Sequence, residues 1–553
     1  MCLLSGLIIA SIQYTAGRHF KSRQFSTHPK EESFTIGHQR ANLGIAEKNR
    51  VCAFSFAPLT VILCDFMTIE PLQSSCHRGS LRDVLRVAWP LILASSGHAL
   101  RLFADRVMLS RHSETAIKAS LQAGITSFTL MCFFLGICFY TATFVSQYTG
   151  SKQPHRVGPS VWTGMHFALV GGVLLPILLP FSGAIIGLFG HSGDLLAAEL
   201  SYFRILLCGS IFGLLNGAMT GFWSGRGKTR VVMIVELGMT AVNILLNYIL
   251  IFGEIPYGIG EVGGQLTVLH TASPLGEMGI AGAAWGTVIA SALGTVIFLA
   301  LLLRKSHRET FATHRFRPSR HLLSRLWKFG SPSGTRFFLE VLGFNIFVYY
   351  IGTLGSLEHE ASNIALSINA LAFLPLVGLG QAGSVLVGQA IGAVNIPAAR
   401  RAVKNTIRLA VGYALLMAAL FVIAPDALLQ RFQRSGDPLQ GQTFAIAKLL
   451  MLYLAAYLSF DAIAITVSHA LGGAGDTKWT MYMSIALEWC FFVVPVALAH
   501  HFGMGLHSFW AIFVAYVAIY AIVFAIRYHR GAWESMRVIE PAPLIPEPRD
   551  FET

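Results

Sequence analysis

Four pairs of polar residues stand four apart inside apolar runs, a spacing that turns both members of a pair onto one face of a helix. Arg101 precedes Asp105 in Leu100–Asp105 (LRLFAD), and Arg336 precedes Glu340 in Thr335–Glu340 (TRFFLE). Tyr457 precedes Asp461, and Asn243 precedes Asn247. A charge at bilayer depth costs roughly 2.5–3.5 kcal/mol or more, so such residues face a protein interior or a water-filled path. Carboxylates that converge in a low-dielectric cavity repel one another and create a demand for a cation. A proton, Na+ or an organic cation can meet that demand. A tyrosine hydroxyl can coordinate a cation through its oxygen, and its ring can contact an organic one. Glu340, Tyr457 and Asp461 therefore form a candidate Na+ site. The amides of Asn243 and Asn247 suit either cation coordination or hydrogen bonds between helices. For the two arginine–acid pairs the plain alternative is a structural ion pair that neutralises itself. Glu236 and Glu488 are further acids in apolar runs. Glu488 has only aromatic and apolar neighbours and is left without a role, and His98 is read as a local hydrogen-bonding group.

The elements that must hold these residues are membrane spans. Of 553 residues, 54% are hydrophobic and 12% charged, against about 25% charged in soluble domains. Many apolar runs reach the ~20 residues that a helix needs to cross ~30 Å of hydrocarbon. The fold class is an all-α polytopic membrane protein with twelve transmembrane helices. They are placed at 84–110, 117–146, 159–189, 195–223, 231–253, 278–303, 329–352, 361–390, 406–432, 443–472, 479–500 and 506–526. Pro90 in span 1 and Pro375 in span 8, the latter flanked by Gly378 and Gly380, are candidate hinges. Eight cysteines show no CxxC or Cys/His grouping, so free thiols and no metal cluster of that kind are expected.

The net charge of +13 does not point to nucleic acid, because the excess lies in short loops between spans. Arg82, Arg86, Lys152, Arg156, Arg226, Lys228, Arg230, Arg400, Arg401, Lys478, Arg527 and Arg530 fall on one side, with the whole basic 304–328 stretch. The other side holds Arg111, Lys118, Arg431 and Arg434. By the positive-inside rule the rich side is cytoplasmic, as are both termini. The expected organisation is an N-terminal extension at 1–80, disordered or a mispredicted start, then an N-lobe (spans 1–6) at 81–303. A basic linker at 304–328 leads to a C-lobe (spans 7–12) at 329–530 and a cytoplasmic tail at 531–553.

The two lobes read as copies. Arg101/Asp105 and Arg336/Glu340 recur at an offset of 235 residues, which predicts Asp105 and Glu340 at equivalent depth about an axis along the membrane normal. VSQYTGSKQP (145–154) answers VGQAIGAVNIP (387–397), and SGRGKTR (224–230) answers GGAGDTK (472–478).

With FADRVMLSR (103–111), NILLNYILIFG (243–253), GIAGAAWGT (279–287), FFLEV (337–341) and FDAIAITVSHALGGAGDT (460–477), these motifs resemble the multidrug and toxic compound extrusion (MATE) family, in its NorM-like branch. The resemblance runs from about Leu81 to Ile526. It implies a two-lobed antiporter that exports organic cations against inward Na+ or H+, without enzymatic activity or a cofactor. It places the family's acids on Asp105, Glu340 and Asp461, and its tyrosine on Tyr457. The partners implied are cationic, amphipathic small molecules and the lipid bilayer, not nucleic acid; the protein is expected to be a monomer in the plasma (inner) membrane. Arg101 and Arg336 depart from the family pattern, since a guanidinium stays charged and would hold a paired carboxylate ionised. The alternative is a lipid-linked oligosaccharide flippase of related architecture, which would need a basic cavity for phosphate. An intramembrane enzyme is disfavoured because no HExxH or GxSxG lies in a span, and a channel because isolated acids in two lobes suit alternating access better than a ring-lined pore.

Overall fold

In hydrocarbon no water satisfies a backbone N–H or C=O, so apolar runs of this length must close their hydrogen bonds within helices. The structure, a computed structural model, describes residues 79–262, 265–274, 276–430 and 440–540. Among them, twelve helices are long and apolar enough to cross a membrane. Spans 1–6 are Leu81–His112, Glu114–Gly150, Pro154–Gly187, Gly193–Ser224, Thr229–Phe252 and Gly279–Leu302; spans 7–12 are Arg320–Leu354, Ser356–Gly392, Ile396–Ile423, Gly441–Ala474, Thr477–His501 and Leu506–His529. The first begins with a capping box, in which Ser80 and Asp83 satisfy each other's backbone N–H groups. Most of the N-terminal extension expected at 1–80, with its four cysteines, lies outside the described residues, as do Arg431, Arg434 and residues 541–553. The described cysteines, Cys132, Cys138, Cys208 and Cys490, are free thiols.

Two stretches differ from expectation. Span 7 starts at Arg320, inside the segment expected as linker, because Leu322 and Leu326 bury one side of an amphipathic turn while Arg320 stays exposed. The loop between spans 5 and 6 carries two strands, β1 (Glu254–Val262) and β2 (Gln265–Ala272), which pair in a two-stranded sheet of their own.

The repeat is present, in a different register from the one expected. Spans 2 and 8 are both 37 residues long and start 242 residues apart. Each is followed by a left-handed residue, Lys152 in one lobe and Val394 in the other, both at φ 56° and again 242 apart. Pro90 and Pro332, inside spans 1 and 7, keep the same offset. In that register Asp105 corresponds to Phe347, and Glu340 to His98. The expected equivalence of Asp105 and Glu340 is therefore corrected: their offset of 235 falls seven residues short, which is about 10.5 Å along a helix. Seven residues are nearly two whole turns, so a motif can slide by a heptad and keep its face while losing its depth.

The lobes meet on the basic side. A Cβ added to Gly150 would lie 1.9 Å from the Gln389 carbonyl oxygen, and one on Gly392 would lie 2.1 Å from that of Gln147, so only glycine lets spans 2 and 8 cross there. Gln147 donates from Nε2 to Gly473 O (3.0 Å) and Ala474 O (3.2 Å) at the end of span 10. Gln389 donates to Gly225 O (2.9 Å) after span 4. The segment 531–540, expected as tail, packs on this face. Val538 N donates to Gln147 Oε1 (2.8 Å), Arg325 donates to Val538 O, and Arg537 donates to Gly392 O (3.0 Å). Glu540 pairs with Arg156 and with His321 (2.7 Å), and Trp533, Val538 and Ile539 are buried. Close by in sequence, the Arg226 guanidinium lies between the Phe222 and Phe311 rings (4.3 and 4.1 Å). Burial lowers its pKa to about 10. His307, edge-on to Phe222, donates from Nδ1 to Leu301 O (2.8 Å); burial first, and then Arg226, hold its pKa below the usual 6.5.

Candidate functional site

In the N-lobe, the structure brings Asp105, Asn243 and Asn247 together. All three are buried. Asn247 donates from Nδ2 to Asp105 Oδ1 at 2.5 Å, and Asn243 donates to the Thr287 hydroxyl of span 6 at 3.2 Å. The Asn247 Oδ1 atom is buried with no hydrogen-bond partner among the described residues. It is aimed at the backbone of Gly286, where an added Cβ would lie 1.9 Å away. The cluster thus offers a carboxylate and an open amide oxygen to a cation, in a place where a larger side chain on span 6 would not fit.

The two arginines behave differently. Arg336 Nε stands 3.6 Å from Glu340 Oε1 on the same helix, with both side chains half-buried, and its guanidinium also faces the Tyr520 hydroxyl. Arg101 instead donates to His98 Nδ1 at 2.6 Å while facing both Asp105 and Glu236. The local hydrogen bond expected for His98 is made to this arginine. A pattern repeated in sequence has become an arginine–glutamate pair in one lobe and a shared cation in the other.

In the C-lobe, Tyr457 is buried and donates its hydroxyl proton to Asn369 Oδ1 at 2.7 Å. Asp461 lies one turn further, and its Oδ2 is buried without a hydrogen-bond partner among the described residues. No hydrogen bond or ion pair among the described residues joins Glu340 directly to Asp461 or Tyr457. Tyr516 of span 12 lies within electrostatic range of Glu340, Asp461 and Glu488. Pro90 and Pro375 lie inside unbroken helices, Pro375 close to the span 1–span 8 contact of Ile92 with Gly378.

Asn369, Thr287, Tyr516 and Tyr520 were not legible as site residues. Tyr516 and Tyr520 carry the same four-residue spacing as the pairs that were read, and that spacing is the signal that could have found them. Asn369 and Thr287 become neighbours of the site only when spans 8 and 6 pack.

Fold and site together define a two-lobed polytopic membrane protein with a shielded carboxylate oxygen or buried acid in each lobe, Asp461 Oδ2 in one and Asp105 in the other. The family model MatE matches residues 90–249 and 332–497, and its two matches begin 242 residues apart, as the structural repeat does. The chain belongs to the MatE family. It is 29% identical to a probable multidrug resistance protein NorM of Pseudomonas putida, over 74% of this chain and 85% of that protein. To the multidrug resistance protein PmpM of Pseudomonas aeruginosa it is 27% identical, over 83% and 93% of the two chains. Among solved structures, a MOP superfamily transporter from Pyrococcus furiosus superposes with a TM-score of 0.73 at 19% identity, covering 84% of this chain and 100% of that one. An outward-facing multidrug resistance MATE family transporter superposes with a TM-score of 0.70 at 20% identity, covering 82% and 96%. The structures share its fold.

Proposed function

We propose that the chain is a secondary active antiporter that exports organic, amphipathic cations in exchange for Na+ or H+ by alternating access between its two lobes. The observation that carries this reading is the placement of a carboxylate inside each lobe, Asp105 buried and Asp461 half-buried with its Oδ2 shielded, while the lobes meet on the basic face through Gln147 and Gln389. The multidrug resistance names of the relatives support it. The concentration of lysine and arginine supports a cytoplasmic sealed face with both ends of the described chain on that side. The cytoplasmic face is then shut, and the acids await a cation from the other side.

In this scheme Asp461, Tyr457 and Glu340 receive the coupling cation in the C-lobe, and Asp105 with Asn243 and Asn247 holds a cation in the N-lobe. Moving a monovalent cation outward against 100 mV costs roughly 2.3 kcal/mol, which one cation entering offsets. Binding is therefore the whole of the chemistry: no bond is made, and the protein works as a monomer in the inner (plasma) membrane. A flippase for lipid-linked phosphates would need free guanidinium groups, whereas Arg101 is engaged by His98 and Arg336 by Glu340. Purified protein in liposomes, loaded with ethidium and given an inward Na+ or proton gradient, tests the reading. Gradient-driven ethidium movement is expected, and its absence under both gradients overturns it.

A further inference from the structure

The acid without a role in this scheme is Glu488. It is 3% exposed in span 11, and its Oε2 has no hydrogen-bond partner among the described residues. Its other oxygen rests directly on span 7, since a Cβ built on Gly343 would lie 2.4 Å from Glu488 Oε1. Gly343 is three residues beyond Glu340, about 4.5 Å along the axis and on the same face. One further turn along that face, Phe347 packs on Phe492 of span 11 at 5.1 Å. Spans 7 and 11 thus meet along a line that runs Arg336, Glu340, Gly343, Phe347 on one side and Glu488, Phe492 on the other. Directly after Glu488 the helix is wound as a π-turn, Trp489–Val493, a feature frequent at functional sites.

Packing alone does not ask for a carboxylate here. In the N-lobe the equivalent pair of spans closes over Gly97 with Leu237 and the Thr240 hydroxyl, and its acids have partners of their own, Asp105 bonded to Asn247 and Glu236 facing Arg101. Around Glu488 stand Arg336 and Glu340 from span 7, Tyr516 and Tyr520 from span 12, and Ser484 from its own helix, bonded to Tyr520 at 2.8 Å. From span 10, Asp461 faces Tyr516 and His469 faces Arg336. Arg336 balances one of the two glutamates, so the second can be ionised there only beside a further cation and is otherwise neutral with a proton.

We propose that Glu488 and Glu340, with Arg336 paired to Glu340, form a monovalent-cation site on spans 7 and 11 that shares Glu340 with the Asp461–Tyr457 pair and is completed by one Na+ or one proton. Glu488 has an unpartnered oxygen for that ion among the described residues, and Tyr516 of span 12 lies within electrostatic range of Glu488. The assignment rests on the antiport reading and deepens it by adding Glu488 of span 11 as a second acid beside Glu340 of span 7.

The test uses the full-length protein in nanodiscs, with binding of radioactive Na+ and proton release to a pH dye measured in parallel. Wild type, Asp461→Asn, Glu488→Gln and Glu488→Asp are compared. The expected result is one cation fewer bound by Glu488→Gln than by wild type, or affinity weakened by roughly tenfold or more, with recovery in Glu488→Asp. Loss of Na+ binding assigns sodium to the site, and loss of proton exchange instead assigns a proton. Binding in Glu488→Gln within about twofold of wild type, with Asp461→Asn impaired, overturns this site and leaves antiport standing. Wild type that binds neither ion overturns both readings. If Glu488→Gln does not fold, labelling of wild-type carboxyls by dicyclohexylcarbodiimide decides. Modification of Glu488 that slows in Na+ or at raised pH supports the site, and an unchanged rate under both conditions sinks it.

Discussion

Gln147 and Gln389 stand 242 residues apart and make the same kind of bond in opposite directions, each donating its amide to backbone carbonyl groups at the end of a span in the other lobe. The symmetry is incomplete. Gln147 also accepts from Val538 N and so holds the C-terminal segment, for which Gln389 has no counterpart among the described residues. Each such bond contributes roughly 0.5–1.5 kcal/mol. Gln147→Ala should therefore lower the melting temperature in detergent by more than Gln389→Ala, and ending the chain at Arg530 should recover most of that difference. Equal losses in the two alanine variants would contradict the asymmetry.

The arginines predict a contrast of another kind. Arg336 faces Glu340 at 3.6 Å, whereas Arg101 is bonded to His98. Arg336→Gln should therefore change the pH profile of efflux in liposomes, and Arg101→Gln should leave its shape close to that of wild type. Identical profiles in both variants and the wild type would make the arginines structural only.

Charge removal at the acids separates coupling from folding. Asp461→Asn and Glu340→Gln keep side-chain volume, so packing should suffer little. Each should abolish gradient-driven export while the purified protein elutes as a single species at the wild-type position. Wild-type transport in either variant would contradict the assigned coupling role.

His307 offers a pH effect outside the membrane. Its pKa in the fold lies below 6.5, so the folded state prefers the neutral ring. The stability this contributes is present above pH 6.5 and is lost as pH falls below it, because the unfolded segment takes up the proton first. Hydrogen exchange over Lys305–Phe311, corrected for its intrinsic pH dependence, should show more opening at about pH 5.5 than at about pH 7.5. His307→Gln should flatten that difference, and a wild-type protein with no difference would refute the assignment.

Much of the fold was legible in the chain, since bilayer length, apolar runs and loop charge are local properties. They yielded twelve spans, two lobes and a basic side without any knowledge of packing. The Arg336–Glu340 pair also survived, because helix geometry alone puts two residues four apart side by side, whereas Arg101 turned to His98. Depth and partnership did not follow. A heptad shift preserves a face, so the motif match at 235 residues hid the true repeat at 242 and paired Asp105 with Glu340 where the structure aligns it with Phe347. The partners of the acids were equally out of reach of local pattern. Asn247 reaches Asp105 from 142 residues away and Glu488 reaches Gly343 from 145, and only the packing of span 5 on span 1, and of span 11 on span 7, brings them into contact.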